Sequence, residues 1–104
     1  MRKDLEIVSA EIIDDNFKIS FTKLCEYCHS EETFVHTLIE FGLIEPLDKR
    51  EAELHFDATA LQRTQKALRL QRDLAINMEG IALVLDLLDE VTELRQQLEL
   101  LKKD

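Results

Sequence analysis

Cys25-Glu26-Tyr27-Cys28-His29 spells the attachment motif of c-type haem, in which both sulfurs form thioether links and the histidine binds the iron. Three features oppose that chemistry. The opening Met1-Arg2-Lys3-Asp4-Leu5-Glu6 has no long apolar core and does not read as an export signal. The motif lies in a segment with helical patterning, and 2 Gly and 1 Pro in 104 residues leave no Gly/Pro-rich wrap for a haem. A zinc site needs four ligands, and Cys25 and Cys28 with His36 as a third leave the set incomplete. A thioredoxin-type redox pair needs a βαβ setting that the pattern does not offer. The expectation is that two small, weakly polar side chains three apart fill one face of a core helix. His29, His36 and His55 share no catalytic spacing, and the chain has no serine nucleophile elbow, Gly-rich phosphate loop or H-E-x-x-H. It reads as a non-enzyme with no cofactor and no metal.

The elements that carry these residues read as mainly α. Ile7, Val8, Ile12 and Ile13 form a β-branched run, Asp14-Asp15-Asn16 a turn cluster, and Phe17-Lys18-Ile19-Ser20-Phe21 an alternating strand, so a short N-terminal β-hairpin is expected. Thr22 is a candidate cap for a helix over about 23–28 and Ser30 for a second, striped by Phe34, Val35, Leu38, Ile39 and Phe41 and stopped at Gly42. Helix, turn, helix and then a polar loop or wing over 45–56, with Leu54 and Phe56 returning to the core, outline a winged helix-turn-helix. Asp57 caps a third helix over about 58–74, Ala75-Ile76-Asn77 breaks it, and Asn77 caps a last helix over about 78–102. The division expected is 1–75 for the hairpin and winged domain and 76–104 for the terminal helix.

That last helix repeats most strictly. Val84, Leu87, Val91, Leu94, Leu98 and Leu101 make an a/d seam over three heptads. It either folds back on the third helix or pairs with a second copy. A dimeric coiled coil is the preferred reading, since the seam outruns anything so small a domain could cover.

Charge separates the function classes. Against 22 Asp+Glu stand 13 Lys+Arg, a net of −9, which opposes non-specific nucleic-acid binding and suits a basic protein partner. The polar positions of the second helix are Glu31, Glu32, Thr33, His36, Thr37 and Glu40, without the Arg or Lys that a bidentate guanine contact uses. Arg63, Lys66, Arg69 and Arg72 step by three and spiral around the third helix; a solvated face paired with local carboxylates such as Asp73 is expected. Glu79, Asp86, Asp89, Glu90 and Glu93 make the last helix acidic, and a solvated face is the default for such a run. The alternative is a surface for a basic helix, with Leu85 and Leu88, outside the seam, as its apolar component. No apolar run reaches membrane length, and a cytoplasmic location with reduced cysteines is expected.

Ile19-Ser20-Phe21-Thr22-Lys23-Leu24-Cys25 with Cys28, Phe41-Gly42-Leu43-Ile44-Glu45-Pro46, and above all 67–77 (ALRLQRDLAIN) running into 82–90 (ALVLDLLDE) resemble the chaperone modulator CbpM family. The likeness covers about 8–101, and its helix-turn-helix part is shared with MerR-like regulators. The resemblance implies a small bacterial cytoplasmic protein that binds the J-domain of the DnaJ homologue CbpA, competes there with DnaK and reduces CbpA's binding to DNA. A MerR-like transcriptional regulator that binds DNA is the alternative, and a redox or metal protein built on Cys25 and Cys28 the third class.

Overall fold

The structure, a computed structural model, describes residues 16–102. The first strand of the expected hairpin lies outside them. The elements run β1 (Ile19–Ser20), α1 (Phe21–Cys28), α2 (Glu32–Glu40), β2 (His55–Phe56), α3 (Ala58–Leu74) and α4 (Met78–Lys102). The two short strands pair antiparallel, Ile19 opposite Phe56 and Ser20 opposite His55. The alternating segment at 17–21 therefore finds its partner in the returning wing, and only two of its residues are strand. Phe21 already opens α1, and its amide donates to the Leu54 carbonyl at 2.9 Å.

Two caps differ from expectation. Ser20, not Thr22, caps α1: its hydroxyl accepts from the Lys23 amide at 3.2 Å. An extended strand residue already has the backbone that an N-cap needs. Ser30 does not cap α2 either; Glu31 holds the cap position without a side-chain bond, and the Ser30 hydroxyl donates to the Glu31 carbonyl. Asp57 and Asn77 do act as read, accepting from the Ala60 amide at 3.0 Å and the Gly80 amide at 2.9 Å.

Both helices of the helix-turn-helix end in the same way. After α2, Gly42 takes φ +73°, its amide donating to the Ile39 carbonyl and that of Leu43 to the Leu38 carbonyl, each at 2.9 Å. After α1, His29 takes the left-handed position at φ 55°, with its amide on Glu26 and that of Ser30 on Cys25. This paired closure satisfies carbonyls that a helix end leaves open. Arg72 reaches from α3 to the His29 carbonyl and holds that turn from outside.

The core gathers Leu24 and Cys28 of α1, Val35 and Leu38 of α2, Leu43 and Ile44 beyond it, Phe56 of β2, Leu61, Ala67 and Leu68 of α3, and Ile81 and Leu85 of α4. Each fully buried leucine contributes roughly 2 kcal/mol by removal from water. The wing between α2 and β2 hangs on this core by Phe56, which is fully buried, and by the bond from the Leu47 amide to the His55 carbonyl at 2.8 Å. At its tip the Arg50 amide, and then the Arg50 guanidinium, bind Asp48 and lower that carboxyl below its ordinary range.

Candidate functional site

Cys25 and Cys28 are free thiols inside the core, 6% and 3% exposed. Burial pushes the Cys25 thiol up, helped by the Glu32 carboxylate. Burial pushes Cys28 up to about 12, with Cys25 adding to the rise and Arg72 opposing it. Since the thiolate is the nucleophile and metal ligand, both sulfurs are held in their inert form. His36, the third candidate ligand, lies over the Phe21 ring with centroids 4.7 Å apart. Among the described residues no group of His, Cys, Asp and Glu is placed to hold a metal, and no helix is long and apolar enough to cross a membrane.

The surface left for function is made by helices. On α2, Glu31, Glu32, Thr33, His36 and Glu40 are exposed, so the helix that would enter a groove presents carboxylates. On α3 two of the four residues of the basic spiral are used internally: Arg72 binds His29, and Arg63 binds the Leu43 carbonyl and, with both oxygens at 3.0 Å, Asp89, while Lys66 and Arg69 are exposed. The carboxylate that pairs with Arg63 is Asp89 of the next helix, not a local one of α3.

α4 is where the surface becomes unusual. At about 100° per residue, Ile81 and Leu85 stand on one side of the helix and Leu83, Leu87, Leu94, Leu98 and Leu101 on roughly the opposite side. The first side is buried against α3; Ile81 is fully buried and Leu85 is 1% exposed. The seam is open: Val84 is half-buried, while Leu87, Val91, Leu94, Leu98 and Leu101 are 40–79% exposed. The helix does return to α3, but through a face other than the seam. Every residue over 86–102 is exposed, and beyond the contact of Asp89 with Arg63 the helix runs on for about 20 Å.

The expected pairing of acidic and apolar groups is only partly assembled. Glu79, Asp86, Asp89, Glu90 and Glu93 are exposed and share one flank of α4. Leu85 is withdrawn into the chain's own core, and Leu88, 40% exposed, lies on the body side, away from that flank. The apolar groups that border the carboxylates are instead Leu87, a member of the seam, and Leu83, which lies outside it. The spacing of four from Ile81 to Leu85 was the available signal that this pair faces the body.

Residues 19–103 match the family model described as MerR HTH family regulatory protein. A chaperone modulatory protein CbpM from Coxiella burnetii (strain Dugway 5J108-111) is 34% identical over 98 residues, covering 94% of this chain and 92% of its own length. One from Salmonella paratyphi B (strain ATCC BAA-1250 / SPB7) is 35% identical over 88 residues, covering 83% and 87%. These are names of regulatory and modulatory proteins.

Proposed function

The chain belongs to the MerR HTH regulatory family and to the CbpM chaperone modulatory proteins, and on that premise we propose that it acts in the cytoplasm as a homodimer that inhibits a DnaJ-like co-chaperone. It binds the J-domain of a CbpA-like partner and competes there with DnaK. The observation that carries this reading is the sign of charge at the position of the DNA-reading helix. Where a MerR-like domain uses cations against phosphate, this one sets Glu31, Glu32 and Glu40. A cationic protein helix is the complement of such a surface, steered by charge and retained by apolar contact.

Residues 76–104 then serve two purposes. The open seam of Val84, Leu87, Val91, Leu94, Leu98 and Leu101 pairs with a second copy, a self-complementary use that its orientation away from the body supports. The carboxylate flank of Glu79, Asp86, Asp89, Glu90 and Glu93 takes the partner's cations, with Leu83, outside the seam, replacing Leu85 and Leu88 as apolar neighbour.

Titration calorimetry against a CbpA-type J-domain tests the reading. Binding is expected for the parent protein, with an affinity at least roughly tenfold weaker for Glu90→Lys/Glu93→Lys. Absence of binding by the parent removes the partner assignment; equal binding by the variant moves the surface elsewhere. Sequence-selective capture of duplex DNA that survives about 150 mM salt would instead favour the regulator.

A further inference from the structure

Arg63 joins three elements through one side chain. It rises from α3, donates from Nε to the Leu43 carbonyl at 2.6 Å, and donates from Nη1 to both carboxylate oxygens of Asp89 on α4 at 3.0 Å. Its side chain is 21% exposed against 61% for Asp89, so the guanidinium is seated at its root and offers its outer edge to a carboxylate in solvent. Leu43 is no neutral attachment point. Its amide closes the turn that ends α2 by donating to the Leu38 carbonyl, and it follows Gly42 at φ +73°.

We infer that Arg63 is a positioning residue that couples the exposed flank of α4 to the turn leaving α2, so that a cation captured at Asp89 is felt at Leu43. Asp89 anchors the guanidinium, and the anchored guanidinium holds the Leu43 carbonyl. A competing ammonium or guanidinium of a basic protein segment takes the carboxylate and leaves Nη1 without its acceptor. The Arg63 side chain then regains rotamer freedom, and the Leu43 carbonyl is bound for a smaller share of the time. Because coupling is reciprocal, an event that distorts the end of α2 changes the availability of Asp89 by the same factor. The two surfaces involved, the carboxylate flank of α4 and the acidic helix α2, are thereby one device.

The full chain tests this without any partner, so the outcome stands apart from the co-chaperone assignment. Amide hydrogen exchange is compared in the parent, Asp89→Asn, Arg63→Gln and the double variant. Asp89→Asn, a change at an exposed carboxylate, is expected to speed exchange at the Gly42 and Leu43 amides by roughly threefold to tenfold while the Ala60 amide at the start of α3 is unchanged. The double variant is expected to match Arg63→Gln alone, since one linkage is broken in both. Unchanged Gly42 and Leu43 amides in Asp89→Asn, or single effects that simply add, would overturn the coupling.

Discussion

Because the Cys28 thiol is held at about 12, against an ordinary 9.0, the unfolded chain releases this proton before the folded one does. Stability from this group is therefore complete below about pH 9 and is lost as pH rises from there toward 12, by up to about 1.4 kcal/mol per pH unit. Urea titrations at pH 8 and 10 should show that loss in the parent and a shallower one in Cys28→Ala; equal slopes would mean that the sulfur is not shielded. The core placement of Cys25 and Cys28 was legible, because two small, weakly polar side chains three apart share one face of a short helix. Burial of Leu85 was less legible. A strict heptad over six positions dominates the pattern of the last helix, and the two-residue stripe of Ile81 and Leu85 is too short to compete until α3 is seen beneath it.

At the level of elements, three left-handed residues end three helices, and only one of them is glycine. Gly42→Ala meets open space, so its cost is the backbone term alone, about 1–2 kcal/mol. Ala75, exposed at φ 55° after α3, runs the other way: Ala75→Gly is expected to gain up to about 1 kcal/mol. Thermal unfolding of the two variants should move the midpoint in opposite directions. Gly80 differs again, because a Cβ there collides with the Ile76 side chain at the corner between α3 and α4. Helix limits at Asp57 and Asn77 were readable because an Asx side chain directly precedes an apolar run. The start of α1 was not, since Ser20 is both the last strand residue opposite His55 and the cap, a double role visible only once the wing has returned.

Among the described residues the longest element is α4, 25 residues and about 37 Å of helix. Leu94→Asp, 61% exposed and far from the core, should leave the winged domain folded while raising the dimer dissociation constant on the order of 100-fold or more. Sedimentation equilibrium decides this, and a monomeric parent would remove the seam from the account. The open stripe also bears on a quantity read in any spectropolarimeter. A run as short as 90–102, beyond the Asp89 anchor, is only marginally helical in water, so it should fray in a solitary protomer and stiffen when paired. Ellipticity at 222 nm then becomes a gauge of dilution, falling as the sample is thinned although the globular part stays intact.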